Sequence, residues 1–196
     1  RKRIETIRRA AERATALTRQ ILAYAGQDAS RVNAVDLTTA IEEMTLLLES
    51  ISSGSTRIDY ALKPGLPFIE VDSQHLGQVV LNLVANACDS FSKDGGRIEI
   101  STGSIDADRA YLDRCRFADD LEKGQYVYLE VSDDGTGIPE EDLEHIFDPH
   151  FTTRPTGRGL GLTAIAEIVR RYRGALELRS EMGEGTRVRV LFPTLR

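Results

Sequence analysis

Tryptophan is absent from the 196 residues, and cysteine and histidine are scarce at two and three copies. Cys88 and Cys115 are far apart and no Cys-x-x-Cys spacing occurs, which argues against a disulfide framework or thiolate metal site and for two reduced thiols. No apolar run approaches the ~18 residues that a membrane-spanning helix needs, and no secretory signal is visible. The chain opens on Arg1 rather than Met. It is therefore expected to be part of a longer, cytoplasmic polypeptide, whose attachment to a membrane stays open. A basic excess is also missing. The net charge of −6 removes nucleic acid as a default partner.

The rest of the composition is that of a soluble globular protein, 41% hydrophobic and 29% charged. Charge is spread unevenly. Residues 1–31 hold eight basic and three acidic side chains, roughly +5, which leaves about −11 for the remainder and points to two units. Residues 3–25 contain neither Gly nor Pro and place Ile4, Ile7, Ala11, Ala14, Thr18, Ile21 and Ala25 at alternating spacings of three and four. That heptad pattern predicts a rod about 35 Å long. Its apolar stripe needs partner helices, unless it folds back as an ordinary surface helix. The expected division is residues 1–28 as this helical arm and 29–196 as an α/β domain. Within the domain, Asp36 predicts an N-cap for a helix to Ile51, and strands are expected at 56–62 and 68–71. A helix follows over 73–91 and a strand over 97–102. A polar insertion, 104–123, is expected to hold a short helix near 107–115. A strand at 126–132, a short helix at 139–146, a helix over 160–173 and strands at 175–180 and 186–192 complete the chain. This order predicts a two-layer α/β sandwich with helices on one face of a mixed sheet.

Four constellations carry chemistry. Asn82 and Asn86 stand at i, i+4 and share one face of an otherwise apolar helix. Amide oxygens there suit a hard cation such as Mg²⁺, or the two side chains cap neighbouring loops. Asp133-Asp134-Gly135-Thr136-Gly137 follows an apolar strand. Its glycines allow backbone to approach a flat ligand, and a carboxylate there can accept a hydrogen bond from an exocyclic amine. A plain acidic turn is the alternative. Gly157-Arg158-Gly159-Leu160-Gly161 runs directly into a helix, where exposed N–H groups and the helix dipole favour phosphate. Arg154 and Arg158 can neutralise phosphate charge, or are simply exposed loop arginines. No Rossmann strand precedes these glycines. The fourth, Gly183-Glu184-Gly185-Thr186, reads alone as a hairpin turn.

In this order the four segments resemble the N, G1, G2 and G3 boxes of sensor histidine kinase catalytic domains, and Ile146 to Arg154 resembles the F box between G1 and G2. The resemblance covers about residues 30–193, with nitrogen-regulator-type and hybrid sensor kinases nearest. Residues 3–25 look like the second helix of the dimerisation and phosphotransfer hairpin. The resemblance implies the Bergerat ATP-binding fold shared with gyrase, heat-shock chaperone and mismatch-repair ATPases. It implies Mg²⁺ on Asn86, Asn82 beside the phosphates, Asp133 on the adenine amine, and Gly135, Gly137 and Thr186 lining the base pocket. Residues 148–158 become a lid, with Gly157, Gly159, Leu160 and Gly161 its junction with the phosphate-binding helix and Arg154 and Arg158 its cations. The implied cofactors are ATP and Mg²⁺. The implied partners are a phosphoacceptor hairpin, a response-regulator receiver domain and a second protomer of the parent.

Several positions depart from the family pattern. His150 stands where a second Phe is usual, Arg154 where Lys is frequent, and Cys88 where Arg is frequent. None of His75, His145 and His150 lies in a phosphoacceptor pattern, so the acceptor histidine is expected on a hairpin helix outside this chain. ATPases of the superfamily carry a water-activating Glu where Asn82 stands, and an amide is no base at neutral pH. That disfavours a hydrolytic ATPase and a serine kinase of the anti-sigma type. A non-catalytic ATP-sensing module remains as the rival to a kinase.

Overall fold

The computed structural model describes residues 31–52, 55–91, 95–152 and 160–195. The heptad helix over 3–25 and the boundary between residues 28 and 29 lie outside the described residues. So do Arg154, Gly157, Arg158 and Gly159.

A short strand β1 (Asn33–Val35) leads to helix α1 (Leu37–Ile51), then to strands β2 (Arg57–Ala61) and β3 (Ile69–Val71) and helix α2 (Ser73–Ser90). The long strand β4 (Arg97–Ala107) is followed by a single helical turn α3 (Arg109–Leu112), by β5 (Gly124–Asp133) and by a 3₁₀ turn at Glu140–Asp142. Helix α4 (Gly161–Arg171) and the hairpin β6 (Ala175–Glu181) and β7 (Gly185–Pro193) close the domain. Local chemistry fixes the helix starts. Asp36 and Asp72 are both in extended backbone, and their carboxylates accept from the Thr39 and Gln74 N–H groups, caps worth about 1 kcal/mol each.

Five strands form the main sheet in the order β2-β4-β5-β7-β6, with β2 and β4 parallel and every other pair antiparallel. Strands β1 and β3 pair separately. Alternation along the strands buries Ile98, Ile100, Val127, Leu129, Val131, Val188, Val190 and Leu176 in one core with Leu37, Ile41 and Leu48 of α1, Leu76, Val80 and Leu83 of α2, and Ile165 and Val169 of α4. The long helices thus share one face, as the sequence predicts.

The opposite face is not bare. β4 runs five residues beyond the expected Thr102, and the predicted helix near 107–115 contracts to Arg109–Leu112. The segment after β4 crosses behind the sheet, packing Leu112 and Ala118 onto Ala107, Tyr126, Ala175 and Leu191. Beside this small core, Arg189 donates to Glu130 at 2.8 Å and lies 4.4 Å above the Tyr128 ring. Tyr111 donates to Glu177 at 2.7 Å. These partners satisfy two carboxylates that the sheet and the crossing segment otherwise bury. The segment then reaches the sheet edge, where the Arg116 and Leu176 backbones exchange hydrogen bonds at 2.7 and 3.1 Å. Phe117 turns over that edge with φ 65°. Its ring meets Phe147 edge-on at 5.5 Å and lies 3.9 Å beneath the Arg170 guanidinium of α4. The segment is a strap that ties the back of the sheet to the residues before the expected lid.

Candidate functional site

Strand register explains where the polar groups collect. On the helix-facing side, Ile100, Val131, Val188 and Leu178 form one cross-strand row. One step towards the sheet end, the matching row is Ile98, Asp133, Thr186 and Ser180. Three of the four apolar positions become polar there, so the core ends and a site can begin. Thr186 Oγ1 lies 2.8 Å from Ser180 Oγ, and Ser180 Oγ accepts from the Ile138 N–H at 2.8 Å. The loop after β5 is thereby tied to the β6–β7 hairpin.

Asp133 is the last residue of β5. Its Oδ1 accepts from Ser90 Oγ at 2.8 Å and from the Gly135 N–H at 2.9 Å. Burial raises the Asp133 pKa above the ordinary carboxylate range, against hydrogen bonds from Ser90, Gly135 and the Thr186 backbone that lower it, with Asp134 adding a further upward push. Any larger residue at 135 would displace the Ser90 and Asp133 side chains. A Cβ at that position would sit 1.9 Å from Ser90 Oγ and 2.8 Å from Asp133 Oδ1. Gly137 holds φ +72°, and its Cβ would lie 2.1 Å from the Glu181 carbonyl oxygen. The close contacts at these two glycines are thus with the protein itself, the Ser90 side chain at Gly135 and the Glu181 backbone at Gly137, whereas the sequence predicts that they admit a flat ligand.

The other half of the site is made by α2 and α4. Asn82 is buried, and its amide donates to the Gly161 carbonyl at 3.4 Å. Asn86 lies one turn further on and is half-buried. A Cβ on Gly161 would stand 3.5 Å from Asn86 Oδ1 and 4.0 Å from Asn82 Cγ, so both asparagines are packed against the first residue of α4. Leu160 forms the N-cap of that helix without a side-chain hydrogen bond and is exposed. Cys88, on the same helix, is half-buried; burial, then Asp89 and Asp133, push its thiol up to about 11, so it stays neutral near pH 7. His150 is exposed with φ 67°.

The donor set fits Mg²⁺. Among the described residues no cluster of three His, Cys, Asp or Glu side chains could hold a metal alone. A site offering one amide oxygen suits an ion that keeps waters and substrate phosphates as its other ligands.

Of the residues predicted from sequence, the structure unites Asp133, Gly135, Gly137 and Thr186 at the sheet end and Asn82, Asn86 and Gly161 at the helix pair. Sequence reading missed Ser90 and Ser180. Ser90 carried a signal: it stands at i+4 from Asn86, continuing the Asn82–Asn86 spacing. Ser180 is legible only through the strand register.

Residues 71–196 match the family model described as histidine kinase-, DNA gyrase B-, and HSP90-like ATPase. The sensor kinase CckA of Brucella abortus (strain 2308) is 34% identical over 194 residues, which is 98% of this chain and 20% of that protein. This chain therefore spans a fifth of that relative's length. The mycobacterial sensor histidine kinase MprB superposes with a TM-score of 0.65 at 23% identity, over 84% of this chain and 98% of that one. Full-length ShkA, solved in complex with AMPPNP, gives 0.69 at 22% identity over 99% of this chain and 38% of that one. The ordered boxes, the sheet-end carboxylate and the asparagine-bearing helix thus have one common explanation: the chain belongs to the histidine kinase-, gyrase B- and HSP90-like ATPase family, as an ATP-binding domain of the sensor-kinase kind.

Proposed function

We propose that this domain binds Mg-ATP along α2 and passes the γ-phosphate to a histidine on a phosphoacceptor hairpin, for onward transfer to a response-regulator aspartate. The observation that carries the reading is the packing of Asn82 and Asn86 against Gly161 at the first turn of α4. It places two amides beside backbone N–H groups that a helix start leaves unpaired. Asn86 would supply the protein's ligand to Mg²⁺, which neutralises phosphate charge when bound. Asp133 would accept the adenine amine. Arg154 and Arg158 would add cations over the phosphates, and the incoming imidazole would attack in line. The AMPPNP bound to ShkA supports the nucleotide class, and the sensor-kinase relatives support dimerisation and response-regulator partners in the parent.

Asn82 bears on the reaction type. Its amide N–H is committed to the Gly161 carbonyl, and an amide cannot deprotonate water at neutral pH. It helps to hold α4 onto α2, and with no base at this position the site favours transfer to a histidine over hydrolysis. The test mixes the chain, Mg-ATP and a hairpin bearing its histidine. Acid-labile phosphate on the hairpin, lost in Asn86→Ala, is expected. ATP binding with persistent absence of transfer would instead support a nucleotide sensor. Acid-stable phosphoserine would support a serine kinase.

A further inference from the structure

We propose that Ser90 is a specificity-determining positioning residue, whose hydroxyl holds one oxygen of Asp133 so that the other, Oδ2, selects a purine with an amine at its 6-position. The inference rests on the reading of Asp133 as the purine contact and extends it to a residue outside the family boxes.

Ser90 is the last residue of α2 and is buried. It fastens the loop after β5 twice: its carbonyl accepts from the Thr136 N–H at 3.2 Å, and its hydroxyl reaches Asp133 Oδ1 at 2.8 Å. With the Gly135 N–H also on Oδ1, that oxygen is occupied, and the amine is left Oδ2. The Cβ that any residue but glycine would add at 135 overlaps Ser90 Oγ, so the serine and the glycine form one fitted pair.

The hydroxyl has one proton and two acceptors, since Ala87 O also lies 2.7 Å from Ser90 Oγ. When Asp133 is ionised, the charged acceptor is the stronger of the two. When Asp133 is protonated, the hydroxyl can turn to Ala87 O at little cost. Ser90 therefore favours the charged form of Asp133, the form that accepts from an adenine amine and repels the 6-oxo group of hypoxanthine or guanine. A protonated Asp133 could donate to that oxo group and discrimination would fall. The other charged or titratable groups around Asp133 are Asp134 on the loop, Cys88 on α2, and Arg179, Glu181, Glu184 and Arg187 on β6, β7 and their turn. Asp134 opposes ionisation and Cys88 is neutral. Among the described residues, the Ser90 hydroxyl and the Gly135 and Thr186 N–H groups donate to the carboxylate itself.

The test measures ATP and inosine triphosphate affinities by calorimetry from pH 5.5 to 8 for the wild type, Ser90→Ala, Ser90→Thr and Asp133→Asn. Ser90→Ala is expected to bind ATP about five- to tenfold more weakly, to lose affinity at a higher pH on acidification, and to narrow the ATP-to-inosine ratio most at low pH. Ser90→Thr keeps the hydroxyl and is expected to keep the wild-type pH limb. If Ser90→Ala matches the wild type in affinity, pH limb and ratio while Asp133→Asn loses ATP, the role of Ser90 is refuted and the purine contact stands. If Asp133→Asn itself binds ATP normally, the underlying reading of Asp133 fails as well. A merely structural role would weaken both nucleotides equally at every pH, and that pattern also overturns the proposal.

Discussion

Phe117 offers a sharp test of the strap, because its backbone and its ring act in opposite directions. Replacing it by alanine removes a cation–π contact with Arg170, worth about 0.5–1 kcal/mol at a half-exposed site. It also removes an edge-on contact with Phe147, worth about 0.5–1.5 kcal/mol, and about 1 kcal/mol of ring burial. A loss of about 2–3.5 kcal/mol is expected for Phe117→Ala. The residue also holds φ 65°, a conformation that costs a non-glycine residue about 1–2 kcal/mol. Glycine loses the same ring but is free of that strain, against an extra ~0.4–1 kcal/mol of unfolded-state entropy. Phe117→Gly should therefore be more stable than Phe117→Ala by about 0.5–1 kcal/mol, the reverse of the order in an ordinary loop. Urea unfolding at 25 °C with a shared m-value reads both differences. A glycine variant less stable than the alanine variant would show that the left-handed turn is unstrained or absent. Two variants as stable as the wild type would show that the strap is not anchored there.

Asp133 should show the opposition between stability and binding that marks functional sites. Its pKa is raised on folding, so folding favours the neutral acid; the ionised form weakens the folded state above that pKa, and the penalty fades as pH falls towards the unfolded value near ~3.9. Asp133→Asn, whose Oδ1 can still accept from Ser90 and Gly135, is expected to raise the urea midpoint of the nucleotide-free protein at pH 7, less so near pH 4, while weakening ATP binding by about 1.5–3 kcal/mol. A lower midpoint at pH 7 would contradict the assigned shift. Tyr60 has a buried hydroxyl with no hydrogen-bond partner among the described residues, so Tyr60→Phe should stabilise by about 1 kcal/mol in the same assay; a loss of stability would mean that the hydroxyl is satisfied.

The sequence announced elements better than it announced what they cover. Hydrophobic alternation along 126–132 and the 3.6-residue period after Asp36 need only local information, and the observed strands and helices follow them within a few residues. The strap was harder. Residues 104–123 are polar on average, because a segment lying on a half-exposed sheet face needs few apolar anchors. Leu112, Ala118 and Phe117 have no periodic spacing from which a core could be inferred. The buried pairs of Arg189 with Glu130 and Tyr111 with Glu177 join residues 59 and 66 positions apart, beyond any local pattern. Within the site, Asp133 and the glycines were legible because the Asp-Asp-Gly-Thr-Gly pattern is local, although the contacts that demand the glycines, with Ser90 and Glu181, are not. Ser90 became meaningful only when strand register set Asp133 beneath the end of α2.

That placement gives α2 a second duty beyond filling the core. Asn82, Asn86 and Ser90 recur every four residues, so they lie along one side of a straight helix, about 6 Å apart and about 12 Å from first to last. On the proposed reading the amide of Asn86 would face the phosphates at one end and the Ser90 hydroxyl would orient the purine at the other, on an element whose buried face fixes it against the sheet. The residues of the proposed purine end all lie among the described ones: Asp133, Ser90, Gly135 and Thr186 are tied together by hydrogen bonds of 2.8–2.9 Å, with Ser180 linking Thr186. The proposed phosphate end would also draw on a cation. The two ends should therefore be separable. Adenosine, which has no phosphates, is expected to bind Asn86→Ala as it binds the wild type and to lose at least tenfold in affinity, about 1.4 kcal/mol, on Asp133→Asn. Mg-ATP should suffer from both substitutions. If Asn86→Ala weakened adenosine as much as Asp133→Asn does, the amide would be supporting the helix rather than the triphosphate, and α2 could not be the measure along which the nucleotide is laid.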